Sequence, residues 1–169
     1  MGIEVERKFL VEEDGWRPLV SESWHISQGY LAASDLATMR VRIVEKDAWL
    51  TIKSAGPSRV RQEFEYAIPI GDATEIFRSL THSSIEKERH KLEMPSSATW
   101  TIDEFAGANL GLLVLEIEGA EDIDLTLPSW VGLEVTDDRR FYNDELSRRP
   151  VADWSPQEKK AAGVRSTIA

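Results

Sequence analysis

Apolar and polar residues alternate along much of this chain, a pattern typical of β-strands with one packed face and one polar face. The first example is residues 3–11, Ile-Glu-Val-Glu-Arg-Lys-Phe-Leu-Val, which contain neither glycine nor proline. Side chains alternate between the two faces of a strand, so Glu4, Glu6 and Lys8 share one face. The opposite face is mostly apolar and is expected to be packed.

The same pattern predicts eight strands, at residues 3–11, 24–33, 38–45, 48–54, 60–70, 84–92, 99–105 and 112–119. Helices are predicted at residues 16–20, 73–80, 121–125 and 138–146, the second with Asp72 as its N-cap. Hairpin turns between strands, with helices interspersed, predict an α+β protein dominated by antiparallel sheet, closed as a barrel or strongly curved.

The length and composition narrow the class of protein. The chain of 169 residues is expected to form one domain over residues 1–150, followed by a polar, loose tail over 151–169. A formal net charge of −10 argues against broad nucleic-acid or anionic-membrane binding. The absence of cysteine excludes disulfides, thiolate metal sites and a catalytic thiol. No signal peptide or membrane-spanning run is visible, so we expect a cytoplasmic protein.

Charged residues gather on one face of six or seven predicted strands. The apolar faces of these strands must be covered by helices, so the charged faces are expected to meet across an enclosed space. The cations on these faces are Lys8, Arg40, Arg42, Lys53, Arg61, Lys87 and Arg89. The anions are Glu4, Glu6, Glu63, Glu65, Asp103, Glu116 and Glu118.

Two interpretations of these charges remain open at this point. They could form a solvent-facing sheet surface whose cross-strand ion pairs each contribute little. Alternatively they line a cavity for a polyanion, in which arginines and lysines bind several phosphates. In that case the pairs Glu4/Glu6 and Glu116/Glu118 would bring a divalent metal to the phosphates, and metal and cations together would neutralise charge during phosphoryl transfer.

The ordered set of motifs resembles the triphosphate tunnel metalloenzyme superfamily, also called the CYTH domain. The signature is Glu-x-Glu-x-Lys at residues 4–8, and the later motifs follow in the family's order through residue 136. The chain is most similar to the small bacterial inorganic triphosphatases. Two departures are His90 and Phe141, which stand where tyrosine is usual.

The resemblance implies an eight-stranded antiparallel tunnel with a capping helix near the C-terminus, and hydrolysis of tripolyphosphate with Mg²⁺ or Mn²⁺. It implies metal binding by Glu4, Glu6, Glu116 and Glu118, and supporting acids at Glu63, Glu65 and Asp103. Phosphate binding would involve Lys8, Arg40, Arg42, Lys53, Arg61, Lys87, Arg89 and Arg140. Lys8, Tyr30 and Lys87 are the expected catalytic residues.

Alternatives within the same superfamily are a nucleoside or thiamine triphosphatase and an adenylyl cyclase. A third is a non-catalytic sensor of polyphosphate or nucleotide. The expected partner is therefore a small triphosphate-containing molecule, with no nucleic acid or membrane. A homodimer is possible.

Overall fold

The computed structural model describes residues 2–54, 60–119 and 126–164, and for residues 2–5, 33, 60 and 61 it describes the backbone alone. The strands in these ranges are β1 Gly2–Val11, β2 Val20–Ala33, β3 Ala37–Val44, β4 Asp47–Ser54, β5 Val60–Ala67, β6 Ser83–Leu92, β7 Thr99–Phe105, β8 Leu113–Glu118 and β9 Val131–Glu134. The α-helices are α1 Ile70–Leu80, α2 Asn143–Arg148 and α3 Pro156–Ala161. Short 3-10 helices span Asp14–Leu19, Gly107–Asn109, Arg139–Phe141 and Val151–Asp153.

The strands form one antiparallel sheet that curves into a ring. Its order is β5-β4-β3-β2-β6-β7-β8-β1-β9, and β5 also pairs with β1. That last ladder joins Gly2 to Glu63 and Val5 to Val60, so eight strands enclose an interior and β9 lies beside the other half of β1. The predicted α+β class, with an antiparallel sheet and flanking helices, is confirmed, and the sheet has nine strands instead of the eight predicted.

Several predicted elements differ from the observed ones. The four-residue strand β9 was not predicted; it is short and follows a proline, and it is stabilised mainly by pairing with β1. The helix predicted at 16–20 is a 3-10 turn, because β2 begins at Val20 and pairs from there with Leu92. Helix α1 begins at Ile70 after Pro69, so Asp72 lies in its first turn rather than at its N-cap.

The predicted helix at 138–146 divides into a 3-10 turn and α2. The helix predicted at 121–125 lies outside the described residues. No helix in the described ranges is long and apolar enough to cross a membrane.

One end of the ring interior is filled by apolar side chains, which we call the apolar floor. Leu10, Ile85, Phe105 and Val114 each lie two residues from a charged inner residue, and therefore share its face of the strand. They are buried together with Tyr30, and Phe141 and Leu146 pack against them from outside the ring. The floor separates this end of the interior from solvent.

The chain after Pro150, expected to be a loose tail, instead packs against the floor as far as Val164. Val151, Trp154 and Ala162 are buried in the same cluster. Helix α3 has a complete capping box between Ser155 and Glu158. Apolar residues spaced at Val151, Trp154 and Ala162 were too few to predict this packing from sequence.

A second apolar cluster covers the outer face of β1, β6, β7 and β8. Its members include Phe9, Trp16, Trp100, Ile102 and Leu115, all buried. The members that lie in strands alternate there with the inward charges, which confirms that the apolar faces of these strands are the packed ones. The charged faces therefore line the interior.

Candidate active site

The most buried charges lie on β1, β6, β7 and β8, which together we call the deep wall. Lys8 and Glu116 are cross-strand neighbours, and Lys8 Nζ contacts the Glu116 carboxylate and lies 3.3 Å from Glu6 Oε1. Burial by itself lowers the pKa of Lys8, but the negative charges of Glu116 and Glu6 more than offset it and raise the pKa. Lys8 is therefore a fixed positive charge inside the ring.

Asp103 anchors the other half of the deep wall. Its fully buried carboxylate contacts Lys87 Nζ and accepts hydrogen bonds from Arg89 Nε at 2.6 Å and Arg89 Nη2 at 2.7 Å. Arg89 also contacts Glu116, which links the two halves into one network. Burial raises the pKa of Asp103, but the charges of Arg89 and Lys87 outweigh it and the net shift is downward.

Lys87 differs from Lys8 in its electrostatics. Burial is the largest influence and lowers the pKa of Lys87 to about 8, with Arg89 adding to the fall and Asp103 opposing it. The ammonium group also lies 5.5 Å from the centroid of Phe105. Lys87 can therefore release a proton near neutral pH, which an ordinary lysine cannot.

The remaining inner cations lie on β3, β4 and β5, which we call the shallow wall. Glu63 is shared by Arg40 Nη2 at 3.4 Å and Lys53 Nζ at 3.0 Å. Glu65 Oε1 accepts hydrogen bonds from Arg42 Nη2 at 2.8 Å and from the Thr51 hydroxyl at 3.1 Å. Burial and then the neighbouring charge of Arg40 lower the pKa of Arg42.

Glu6 and Glu118 face each other across the β1–β8 ladder. Glu118 lies at the exposed end of β8, and partial burial, followed by the charges of Glu6 and Glu116, raises its pKa. Such repulsion between carboxylates is relieved by a cation, and these hard oxygen donors suit Mg²⁺.

The described side chains contain no group of three acidic or histidine residues arranged around one metal position. Mg²⁺ is commonly held by one or two carboxylates together with substrate phosphates, so the Glu6/Glu118 pair fits such a site. Glu116 is already engaged by Lys8 and Arg89. The side chain of Glu4 lies outside the described residues; its backbone pairs with that of Arg61, whose side chain is likewise outside.

Tyr30 lies where the charged interior meets the apolar floor. Its hydroxyl accepts a hydrogen bond from Gln28 Nε2 at 2.7 Å, and both side chains are buried. Burial raises the pKa of Tyr30, while the nearby charge of Arg40 opposes the rise. The hydroxyl therefore stays protonated beside Arg40.

Arg140 is placed differently from the other expected phosphate-binding residues. Its guanidinium is held by the Asp138 carboxylate, with Nε 3.0 Å from Oδ1, and it lies 5.5 Å from the centroid of the Trp154 ring. These contacts keep Arg140 on the outer side of the apolar floor. The alternation rule could not place it, because it lies in a 3-10 turn rather than in a strand.

Sequence reasoning assigned no role to two buried inner residues that lack charge, Gln28 and Thr51. Each shares the face of a charged or tyrosine neighbour two residues away on the same strand, so the alternation already contained the signal. Gln28 and Thr51 are almost fully buried, and both bind inner side chains.

Residues 2–145 match the CYTH domain family. The chain belongs to this family. It is 38% identical over 156 residues to an inorganic triphosphatase of Acetivibrio thermocellus, covering 91% of this chain and 99% of that protein. It is 33% identical over 150 residues to an inorganic triphosphatase of Nitrosomonas europaea, covering 85% and 96% of the two chains.

A solved structure of an inorganic triphosphatase has a similar fold, with a TM-score of 0.64 and 30% identity. The similarity covers 87% of this chain and 95% of that chain. Triphosphatases of this family depend on a metal ion in general. The chain thus matches these enzymes along nearly their whole length.

Proposed function

We propose that this protein hydrolyses inorganic tripolyphosphate to pyrophosphate and phosphate in a metal-dependent reaction inside the ring. The observation that carries the proposal is the buried network of Lys8, Lys87 and Arg89 with Asp103 and Glu116, enclosed by strands on all sides. Burying so many charges is costly unless they are paired or completed by a ligand. The two relatives described above are inorganic triphosphatases that the chain matches over nearly their whole length, and this similarity supports the same activity.

The apolar floor sets how substrate enters. Exposure of the inner charges rises away from the floor: the side chain of Lys87 is 2% exposed and that of Glu65 is 33% exposed, and Glu118 at the end of β8 is exposed as well. A linear phosphate chain would therefore enter from the Glu65 side and reach the Lys8 and Lys87 region with its leading end. The shallow wall would hold the trailing phosphates.

The inner cations would exchange part of their internal ion pairs for phosphate oxygens. Arg40, Arg42 and Arg89 can bind phosphate in a bidentate manner, whereas Lys8, Lys53 and Lys87 act as point charges. Their carboxylate partners hold these cations in place before substrate arrives, so little reorganisation is needed. The supporting acids Glu63, Glu65 and Asp103 would have this positioning role.

Lys87 would donate a proton to the leaving group. Water attacks the terminal phosphorus, the bond from that phosphorus to the bridging oxygen breaks, and the pyrophosphate oxygen gains negative charge. With a pKa of about 8, Lys87 is protonated at neutral pH and can donate a proton from Nζ to that oxygen. Lys8, whose pKa is raised, would stabilise charge without giving up its proton.

Tyr30 would act by holding Arg40, since its buried hydroxyl lies beside that guanidinium and is fixed by Gln28. A bound Mg²⁺ or Mn²⁺ would supply further neutralisation of phosphate charge and lower the pKa of bound water. Glu6 and Glu118 would hold it, with Glu4 and Glu116 as further candidates.

A second candidate function is hydrolysis of an organic triphosphate. Two tryptophan side chains on the inner face favour it. Trp24 pairs with Arg89 across β2 and β6, and Trp49 pairs with Arg42 across β3 and β4, so both lie on the inner face. Aromatic rings next to phosphate-binding arginines could receive a base or another ring.

The proposal is tested by measuring phosphate release from tripolyphosphate and from ATP, each with Mg²⁺, with Mn²⁺ and with chelator. Fast metal-dependent release from tripolyphosphate and little from ATP is the expected result. Preference for ATP would replace it with the organic triphosphatase. Binding of tripolyphosphate without turnover under all metal conditions would contradict enzymatic activity and indicate a sensor.

A further inference from the structure

Trp49 is a half-buried indole on the shallow wall, in a position that no charge-based motif includes. It lies on the inner face of β4, between Arg42 of β3 and Ala67 of β5 in the strand register. Several apolar side chains of the inner face, such as Leu10, Ile85 and Phe105, gather in the floor, whereas Trp49 lies next to Arg42. A large ring among the inner charges of β4 therefore needs a reason other than filling the core.

The guanidinium of Arg42 lies over this indole, with its Cζ atom 5.2 Å from the ring centroid. On another side, Arg42 Nη2 is held by Glu65, which is itself held by the buried Thr51 hydroxyl. The indole and the carboxylate thus hold the guanidinium through two separate contacts.

The glutamate contact uses Nη2 of Arg42 and does not satisfy its Nε donor. Its Nε atom is buried and has no hydrogen-bond acceptor among the described residues. A buried donor without a partner costs free energy that a suitable acceptor would recover. A phosphate oxygen entering the ring is such an acceptor, and it carries the charge that a guanidinium binds best.

We propose that Trp49 is a positioning residue that holds Arg42 ready to bind the trailing phosphate of the substrate. This inference rests on the proposed function, because it assigns a role within the same interior. Trp49 acts through Arg42: contact with the indole limits how far the guanidinium can move from its place on the shallow wall. Arg42 is less buried than Lys87 and Lys8, so the effect falls on substrate binding rather than on bond cleavage.

The test compares Trp49→Phe with Trp49→Leu. Phenylalanine keeps an aromatic face for the guanidinium, whereas leucine keeps apolar bulk without one. A cation–π contact of a partly buried arginine corresponds to roughly a fivefold to tenfold change in an equilibrium constant. We expect Trp49→Leu to raise KM for tripolyphosphate by about that factor with kcat nearly unchanged, and Trp49→Phe to restore most of the affinity.

The same substitution in an Arg42→Ala background shows whether Trp49 acts through Arg42. If it does, Trp49→Leu has no further effect on KM once the guanidinium is gone. Leu50→Ala is the matched control, since Leu50 is the next residue of β4, half-buried and on the outer face. It is expected to lower the thermal unfolding temperature without changing KM.

Two outcomes would overturn the inference: an unchanged KM in Trp49→Leu, or an equal increase in KM with and without Arg42. Calorimetric titration of tripolyphosphate into metal-free protein gives the same comparison without turnover. Wild-type protein that binds tripolyphosphate but does not hydrolyse it would contradict the proposed function. In that case the dissociation constants of the Trp49 variants would still decide whether Trp49 positions Arg42.

Discussion

The deep wall and the shallow wall carry similar side chains but hold them differently. On the deep wall, Lys87 and Asp103 are 2% and 0% exposed, and Arg89 joins Asp103 to Glu116. On the shallow wall, Arg42 and Glu65 are 21% and 33% exposed. The first set forms one continuous buried network, whereas the second consists of smaller clusters that water reaches.

The difference follows from what packs behind each wall. The outer face of the deep wall is covered by the cluster around Phe9, Trp16 and Trp100. Helix α1 covers the shallow wall over Val41 and Ala48, while Tyr66 of β5 stays 56% exposed. Better packing excludes water. Where water is excluded, each ion pair is stronger, and a buried charge left without its partner costs more free energy.

The comparison suggests a division of labour. Electrostatic stabilisation of a transition state works best where charges are fixed and water is excluded, which describes the deep wall. Binding and release of substrate need groups that can change partners at low cost, which describes the shallow wall. Four predictions test this division, from the largest expected effect to the smallest.

Asp103→Asn should give the largest loss of stability. It removes the fully buried charge that Lys87 and Arg89 share, and leaving buried cations without their partner costs about 3–5 kcal/mol. Glu63→Gln is the matched change on the shallow wall and should cost less than about 1 kcal/mol. Urea unfolding of both variants measures the difference. Equal losses would show that the two walls do not differ in the way proposed.

Lys8→Gln should have the next largest effect, on turnover. The substitution keeps much of the side-chain length but removes a fixed charge next to Glu116 and Glu6, and loss of one preorganised electrostatic group lowers kcat by about 10²–10³. Lys53→Gln on the shallow wall should change kcat by less than about tenfold and act mainly on KM. Phosphate release at saturating tripolyphosphate separates the two. A larger fall in kcat for Lys53→Gln would reverse the assignment of the walls.

The alternation of polar and apolar residues predicted the inner face well, because a closed sheet forces every second side chain inward. It placed Lys8, Lys87 and Asp103 on one side of their strands without knowledge of their neighbours. It could not predict which acid pairs with which cation. Asp103 lies opposite Arg89 only because β6 and β7 pair in one particular register.

The elements that sequence reasoning missed lack a periodic pattern. Strand β9 has four residues, which is too short for alternation to be distinguished from chance. The segment from Val151 to Ala162 is stabilised by single apolar anchors that dock on the floor. The family resemblance implied phosphate binding by Arg140, but its position depends on its near neighbour Asp138 and on Trp154, which only the folded chain brings close.

Lys87 predicts a specific pH dependence. With a pKa of about 8, against 10.5 for an ordinary lysine, the protonated form is lost as pH rises above 8. We therefore expect kcat/KM to fall by up to about tenfold per pH unit above that value. Stability should change in the opposite direction. Between about pH 8 and pH 10.5 the unfolded chain binds more protons at Lys87 than the folded chain does, so the free energy of unfolding increases with pH.

Lys87→Arg should remove the fall in kcat/KM, since a guanidinium stays protonated throughout this range. Lys53→Arg is the matched change on the shallow wall and should leave the fall in place, because Lys87 is intact. Rate profiles from pH 6 to pH 10, roughly two units on either side of the lysine pKa, test both variants. A fall that persists in Lys87→Arg would assign it to another group.

Glu118→Gln should produce the smallest change, with opposite effects on stability and metal binding. Burial and the charges of Glu6 and Glu116 raise the pKa of Glu118, so the folded state binds protons more tightly there and loses stability as pH rises through that range. Because Glu118 is exposed, solvent screens this repulsion, and removing the charge should stabilise metal-free protein at pH 7 only slightly, by at most a few tenths of a kcal/mol. It should also weaken Mg²⁺ or Mn²⁺ binding by about tenfold.

Glu65→Gln, which removes a partner of Arg42 and Thr51, should not stabilise the protein. Thermal unfolding with chelator and with increasing metal measures both effects, and a destabilised Glu118→Gln with unchanged metal affinity would place the metal away from the Glu6/Glu118 pair.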